Sequence, residues 1–253
     1  MPHKTKKKIL GIILARSGSK RIPGKNIKNF CGKPLLAWSV IVGKESCVLD
    51  RLILNTDSEE YAVVGKKFGA EIPFLRPMRL AKDASSSLAV LRHTVEWLQK
   101  KENYYPDYIV LLEPTAPCRR PIHVKEAVKF ALKTNADSVV SMSPVPADFN
   151  FHWQFVMGDK KKVSLAEGIS ADKIITRGQD LPPTYYRNGV IYVFKTELLF
   201  GNVPSIYGAD IRAYITDAKY SHDINDPKDW KKAELSFRQI LKEEKIDNSS
   251  LMK

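Results

Sequence analysis

The chain has 253 residues, 43% of them apolar, which suits one α/β domain or such a domain with a small insertion. Its 41 lysines and arginines outnumber 28 acidic residues, and the net charge of +13 favours anionic ligands. No nucleic-acid-binding module is recognisable, and no apolar run approaches the roughly 20 residues of a membrane span, so neither partner is expected. Three scattered cysteines without a C-x-x-C pair favour a reducing, cytoplasmic location.

The first predicted elements are a buried strand over residues 9–15 and a basic loop that follows it. The loop contains Gly18 and Gly24 and then gives way to a predicted helix over 34–42. Four cations lie in the loop, namely Arg16, Lys20, Arg21 and Lys25. In α/β proteins, a glycine-containing basic loop between strand and helix typically binds phosphate, because backbone N–H groups and cations both approach the anion. A solvated basic loop is the alternative.

The spacing of this loop excludes the common P-loop. Gly18 and Gly24 have five residues between them instead of four, and Asn26 stands where a metal-binding hydroxyl would be required. The loop therefore predicts a phosphate site of another kind.

An alternation of strands and helices follows the loop. The predictions are a strand over 51–57, a helix over 58–68 with Ser58 as N-cap and a strand over 71–75. Such alternation predicts a mostly parallel sheet that binds ligands at the carboxyl ends of its strands. Asp57 stands at such an end, and both a helix-capping and a functional role remain open. The next predicted elements are a polar loop over 76–87, a helix over 88–101, a strand over 108–113, a helix over 123–134 and a strand over 138–143.

The alternation stops at Pro144. Residues 144–186 contain four prolines and several aromatic residues, which alternate at Phe149, Phe151, Trp153 and Phe155. Because loops of this length are uncommon in compact domains, the segment is interpreted as an insertion. The alternating aromatics fit a strand pair buried at an interface, and a hairpin packed on its own domain is the alternative. A strand over 190–194 and a helix over 230–242 complete the main domain, which comprises 1–143 and 187–253.

The run from Leu14 to Asn26 resembles the signature of the acylneuraminate cytidylyltransferases, the CMP-sialic acid synthetases and their relatives. Further matching pieces recur in family order across nearly the whole chain. The resemblance implies a Rossmann-like, mostly parallel sheet flanked by helices, of the nucleotidyltransferase type. It also implies that residues 144–186 form a small dimerisation subdomain that reaches over the partner's active site in a homodimer. The implied reaction transfers CMP from CTP to a nonulosonic, sialic-acid-like sugar acid and releases pyrophosphate.

The resemblance also implies which residues bind CTP. Arg16 and Lys25 would neutralise the triphosphate and the charge that builds on the phosphoryl oxygens, with help from Lys20. Asn26 would hold the ribose or the base. The full nucleotide set is Leu14, Ala15, Arg16, Ser17, Gly18, Ser19, Lys25 and Asn26 in the loop, with Arg76, Ser85, Ser86 and Ser87 around the cytosine.

On the sugar side, Glu113 stands where the family has a glutamine, so the sugar could be sialic, legionaminic, pseudaminic or another acid. A carboxylate there would repel an anionic sugar unless it accepts bonds from hydroxyl or amide groups or pairs with an arginine. Arg119 or Arg120 could pair with Glu113 or with the sugar carboxylate. The implied sugar-binding set is Glu113, Thr115, Arg119, Arg177, Gln179, Tyr185 and Asn188. Asp223 and Asn225 match the family's pair of Mg²⁺-binding acids, although the second position here is an amide.

Two alternatives from other classes remain open. A glycosyltransferase could use a D-x-D-like metal site, but it would release a nucleoside diphosphate or monophosphate in place of pyrophosphate. A lapsed nucleotide-binding module would bind anions with strong salt dependence and without turnover.

Overall fold

The computed structural model describes residues 6–244. The predicted main domain extends to residues 1 and 253, so its first five and last nine residues lie outside the described range. The strands are β1 (Ile9–Leu14), β2 (Asn29–Phe30), β3 (Lys33–Pro34), β4 (Arg51–Asn55), β5 (Tyr108–Leu111), β6 (Ser138–Pro144), β7 (Phe155–Met157), β8 (Val163–Leu165), β9 (Tyr185–Lys195) and β10 (Ile211–Ile215). The helices are α1 (Leu35–Glu45), α2 (Glu59–Lys67), α3 (Ser87–Glu102), α4 (Pro121–Thr134) and α5 (Pro227–Glu243).

The main sheet has six strands in the order β10-β6-β9-β5-β1-β4. β1 pairs in parallel with both β4 and β5, and β10 pairs in parallel with β6. β9 is antiparallel to both of its neighbours. The predicted mostly parallel sheet is therefore confirmed, and the carboxyl ends of β1, β4 and β5 meet at one edge.

Helices cover both faces of this sheet, which explains why β1 is apolar throughout. On one face, Ile9 and Ile13 belong to a buried cluster that includes residues of α1 and α4. On the other face, Leu10 and Ile12 pack in a cluster that includes Leu91 of α3. A third cluster joins α5 to α1 and includes Phe30, Trp38 and Phe237. The basic loop thus starts from one of the most buried strands of the protein.

Several element predictions need correction. Residues 71–75 form a single bridge from Glu71 to Ile53, since Pro73 has no N–H to continue a ladder. α4 begins at Pro121, two residues before the predicted start, because proline is well suited to the first helical position. β9 begins at Tyr185 instead of residue 190, and β10 was not predicted.

The insertion contains one small hairpin, formed by β7 and β8. Phe149, Phe151 and Trp153 lie in short 3-10 turns, so the predicted strand pair of alternating aromatics is wrong, and only Phe155 lies in a strand. Large apolar side chains of this segment are exposed, including Phe149 at 67% and Met157 at 69%. Within residues 6–244, no helix is both long and apolar enough to cross a bilayer.

Candidate active site

A cavity of about 470 Å³ opens at the carboxyl ends of β1, β4 and β5. Its wall consists of the basic loop, the loop before α3, the segment after β5 and the loop before α5. The lining residues are Leu14, Arg16, Ser19, Lys20, Arg21, Lys25, Asn26, Arg76, Asp83, Ser85, Ser87, Val90, Glu113, Pro114, Thr115 and Asn225. Most of the residues predicted to bind CTP are therefore gathered in one place.

The basic loop is held in place by hydrogen bonds from two sides. The Asp57 carboxylate accepts bonds from the Ser17 backbone N–H at 2.9 Å and the Ser17 hydroxyl at 2.7 Å. On the opposite side, the Asn26 amide donates to the Arg16 carbonyl at 3.1 Å. The Ser58 side chain accepts from Tyr61 N–H and caps α2, as predicted, which leaves Asp57 to anchor the loop.

Three predicted loop residues do not line the cavity. Ala15 is fully buried, Ser17 is engaged with Asp57, and Gly18 lies on the exposed side of the loop. Their contribution is to the shape of the loop. Its four cations Arg16, Lys20, Arg21 and Lys25 all line the cavity.

The loop cations already have polar partners. Arg16 pairs with Asp83, and the Lys20 ammonium lies 2.5 Å from the same carboxylate. Lys25 donates to the Ile224 carbonyl at 2.8 Å. Burial lowers the pKa of Lys25, and the positive charges of Arg16 and Arg21 lower it further, against the opposing effect of Asp223. This arrangement leaves an excess of positive charge that an anionic ligand would relieve.

Arg76 lies at the back of the cavity with its guanidinium fixed by Asn55. Its Nε donates to the Asn55 side-chain oxygen at 2.6 Å, and a terminal nitrogen donates to the Asn55 carbonyl at 2.8 Å. Burial lowers the pKa of Arg76 to about 10. Of the three serines, Ser85 and Ser87 line the cavity, whereas the Ser86 hydroxyl accepts from Ala89 N–H as the N-cap of α3.

Glu113 follows β5 and lines the same cavity, next to Thr115. Burial raises the pKa of the Glu113 carboxyl, and the negative charge of Asp223 raises it further. The positive charges of Arg119, Arg187 and Lys25 act in the opposite direction. A half-buried carboxyl group therefore lines the cavity next to the basic loop.

The prediction that Arg119 is available to a sugar carboxylate is wrong. Its side chain is almost completely buried and donates to backbone carbonyls of Val190 and Glu113, the latter at 2.8 Å. A longer bond of 3.3 Å reaches the Ser39 hydroxyl. Arg119 thus ties the end of β5 to α1 and β9, a structural role that needs its whole guanidinium.

Four other predicted sugar or arm residues also lie outside the cavity. The Asn188 amide is buried and donates to the hydroxyls of Ser143 and Thr216 at 2.8 and 2.6 Å. Arg177, Gln179 and Tyr185 lie on exposed stretches of the insertion and the start of β9. Glu113 and Thr115 are the predicted sugar residues that the fold places in the cavity wall.

The predicted metal ligands lie on the loop before α5. Ile224 N–H donates to the Thr115 carbonyl at 2.9 Å, which anchors this loop beside the segment after β5. The Asn225 amide nitrogen donates to Asp223 at 2.8 Å, so the two predicted ligand side chains are adjacent. Across residues 6–244, no group of three His, Cys, Asp or Glu side chains gathers in a metal-binding arrangement.

Four lining residues were missed by the sequence analysis as site residues: Arg21, Asp83, Val90 and Pro114. Arg21 and Pro114 adjoin motifs that were recognised. Asp83 is separated from Arg16 by 67 positions, so only the tertiary fold brings the two charges together.

The sequence of this chain is similar to those of several known proteins. The family model described as "Cytidylyltransferase" matches residues 10–248. The CMP-N,N'-diacetyllegionaminic acid synthase of Legionella pneumophila is 31% identical over 88% of this chain and 93% of its own length. The pseudaminic acid cytidylyltransferase of Campylobacter jejuni is 30% identical over 92% of this chain and 96% of its own.

A similar fold occurs in a solved structure of CMP:2-keto-3-deoxy-manno-octonic acid synthetase complexed with CTP. It superimposes with a TM-score of 0.68 at 18% identity and covers 93% of this chain and 100% of the other. At that identity the likeness concerns the fold alone.

Proposed function

This chain belongs to the cytidylyltransferase family, a family of nucleotidyltransferases, and from that premise we propose that it transfers CMP from CTP to a nonulosonic sugar acid. The observation that carries the proposal is the cavity at the carboxyl ends of β1, β4 and β5, where the loop cations and the polar side chains of Arg76, Ser85 and Ser87 line the same space. Arg16, Lys20 and Lys25 provide the charge that a triphosphate requires, and Arg76 with two serine hydroxyls provides donors for a base edge.

In the proposed reaction, a sugar hydroxyl oxygen attacks the α-phosphorus in line and gives up its proton to solvent, while the bond to pyrophosphate breaks and pyrophosphate leaves on the opposite side. Such transfers depend on positioning and on neutralising charge more than on covalent catalysis. Lys25 is half-buried and its ammonium donates to the Ile224 carbonyl, so it is suited to stabilise the charge on the transferring phosphoryl group. Arg16 and Lys20 then neutralise the negative charge on the departing pyrophosphate. Asn26 holds the ribose beside them.

A divalent cation is part of the proposal. The Asp223 carboxylate and the Asn225 amide oxygen are hard ligands on an exposed loop at the cavity, and Mg²⁺ commonly binds through one or two protein oxygens while it keeps several waters. The amide of Asn225 would have to turn so that its oxygen, in place of its nitrogen, faces the ion. When bound, Mg²⁺ would add positive charge near the phosphates.

We also propose that the insertion mediates a homodimer. The side chains of Phe149, Phe155 and Met157 are between 48% and 69% exposed, which is more apolar surface than a small hairpin needs for its own packing. A second copy of the chain is the occupant that the family resemblance implies. Sedimentation of the native chain and of the triple variant with serine at these positions would test this, since only the native chain should dimerise.

The central experiment measures pyrophosphate release with each common ribonucleoside triphosphate, Mg²⁺ and a panel of N-acetylneuraminic, diacetyllegionaminic and pseudaminic acids. We expect release with CTP and at least one of these acids and little with the other nucleotides. Nucleoside diphosphate or monophosphate without pyrophosphate would indicate a glycosyltransferase. Salt-sensitive CTP binding without any turnover would indicate a binding module.

A further inference from the structure

The sugar acid carries a carboxylate, and the cavity must supply a cation for it beside Glu113. Arg119, the cation predicted for this purpose, already donates hydrogen bonds to the backbone carbonyls of Val190 and Glu113. Lys25 is bound to the Ile224 carbonyl and faces the phosphate side of the site. The third cation whose charge acts on the Glu113 carboxyl is Arg187.

Arg187 does not itself line the cavity, and an irregularity in the sheet determines where it lies relative to Glu113. β9 runs antiparallel beside β5, and its Tyr192 lies opposite Leu111, two residues before Glu113. The pairing of β9 with β6 shifts in register between Tyr192 and Arg187. As a result, Arg187 lies opposite Met142 in the strand pair. A shift of this kind bends a strand and re-aims its side chains, and it is often found beside active sites.

The guanidinium of Arg187 is oriented but not neutralised. It donates to the Tyr192 hydroxyl at 3.3 Å, and the Tyr192 side chain is itself only 3% exposed. Of the other cations that line the cavity, Arg16 and Lys20 share Asp83, and Arg21 lies in the same basic loop. Arg120 lies 2.6 Å from Glu244. Among residues 6–244, no carboxylate lies within ion-pair distance of Arg187, which is exposed to solvent.

From this arrangement we propose that Arg187 binds the carboxylate of the sugar acid, while Glu113 accepts hydrogen bonds from the sugar's hydroxyl or amide groups. The proposal rests on the proposed function and names the residue that selects acids at the same site. A guanidinium can hold a carboxylate through two parallel N–H bonds, which fixes orientation as well as charge. Glu113 repels the carboxylate of the sugar acid. The two side chains together therefore orient the sugar with its carboxylate toward Arg187 and its hydroxyl or amide groups toward Glu113.

The test is to replace Arg187 and measure both substrates separately. With the best acid from the panel, Arg187→Gln should raise the KM for the sugar acid about 10- to 100-fold, the range of a lost charge-assisted bond. The Kd of CTP, measured by calorimetry without sugar, should change less than about twofold. The KM of Arg187→Lys for the sugar acid should lie between those of the wild type and Arg187→Gln. Lysine keeps the positive charge but cannot donate two parallel N–H bonds to a carboxylate. Arg212→Gln is the matched control, since Arg212 lies on β10 and pairs with Asp210 at 2.7 Å, away from the cavity.

A second measurement separates binding from a structural role. The wild type should prefer the free acid over its carboxamide, and Arg187→Gln should lose most of that preference, because the side chain that distinguishes them is gone. Tyr192→Phe should raise the KM for the acid several-fold by freeing the guanidinium. An unchanged preference in a folded, active Arg187→Gln variant, or an unchanged KM, would overturn the Arg187 assignment alone. Absence of pyrophosphate release from the wild type with every acid would instead overturn the proposed function.

Discussion

Replacing Lys25 with methionine should separate activity from stability. Methionine keeps the length and most of the volume of lysine but removes its charge. The site already penalises that charge, because burial and the neighbouring Arg16 and Arg21 lower the pKa of Lys25. The penalty is tolerated, in our interpretation, because the triphosphate of CTP compensates it when it binds.

The size of the effect follows from Coulomb's law. A unit charge about 4 Å from a phosphate oxygen contributes about 4 kcal/mol at an effective dielectric constant of about 20. The Lys25 side chain is only partly buried, so screening reduces this to about 2–4 kcal/mol. The kcat/KM for pyrophosphate release should therefore fall about 30- to 1000-fold. Lysine to alanine at the same position should abolish release with the fold intact.

The stability of the variant should move little or rise. A lysine whose pKa is lowered by folding destabilises the protein at neutral pH, and this penalty disappears as the pH rises through the folded pKa toward the ordinary 10.5. Lys25→Met should therefore lose that gain in stability between neutral and alkaline pH. The lost bond to the Ile224 carbonyl offsets part of the benefit, by about 1 kcal/mol.

Two assays check this prediction, namely steady-state pyrophosphate release and thermal unfolding at pH 7 and at alkaline pH. Lys28→Met is the matched control, because Lys28 lies outside the cavity with its ammonium 5.1 Å from the Trp230 ring centre. Its kcat/KM should match the wild type. Normal turnover of Lys25→Met would refute the placement of the triphosphate at this loop, and a collapse of its melting temperature would refute the stability argument.

Two further predictions concern neighbours of the basic loop. Asp57→Asn should raise the KM for CTP several-fold with little change in melting temperature, because it weakens the two bonds that hold Ser17. The adjacent Ser58→Ala should do the reverse, costing about 1 kcal/mol as a lost N-cap and lowering the melting temperature by about 2–4 °C with unchanged kinetics. The same kinetic defect in both variants would contradict the separation. Glu113→Gln should stabilise the protein at neutral pH, because a carboxyl with a raised pKa destabilises the fold as the pH rises above its ordinary 4.5. Between pH 4 and 8, the melting temperature should fall less steeply with pH in the variant than in the wild type. Identical pH profiles of the two proteins would contradict this account.

The sequence was informative where a local pattern determines the structure. The apolar run of β1 and the cap at Ser58 depend on neighbours along the chain, and both were predicted. β10 was missed because its residues are mostly exposed and include Arg212, so the run lacks the apolar signal of a central strand. The direction of β9 could not be predicted either, since one strand has the same composition whether its neighbours are parallel or antiparallel.

Among the candidate site residues too, those in a local sequence motif were predicted and those placed by the tertiary fold were not. The basic loop was recognisable as a candidate phosphate site because glycines and cations follow a buried strand within a short stretch of chain. Arg119 was misjudged because an arginine beside a predicted site can face the ligand or the backbone, and only burial distinguishes them. Asp83 was overlooked because its partners Arg16 and Lys20 are distant in sequence.

The last prediction concerns the contact of Asp83 with Arg16 and Lys20, which the sequence alone did not reveal. Asp83 lies at the cavity and pairs with Arg16 and Lys20, so under the proposed function it would compete with the triphosphate for both cations. Asp83→Asn should therefore lower the Kd of CTP, on the order of threefold to tenfold, since the exposed pairs that must break are individually weak. Pyrophosphate should inhibit the variant at lower concentration for the same reason.

Calorimetry with CTP and inhibition by added pyrophosphate check both effects. Asp210→Asn, which removes an exposed acid paired with Arg212 away from the cavity, should change neither value. If Asp83→Asn weakens CTP binding, the carboxylate must hold the two cations in position for the bound nucleotide instead of competing with it. The ion pair would then be part of the phosphate site itself, and the Arg16 and Lys20 side chains would reach the triphosphate without leaving Asp83.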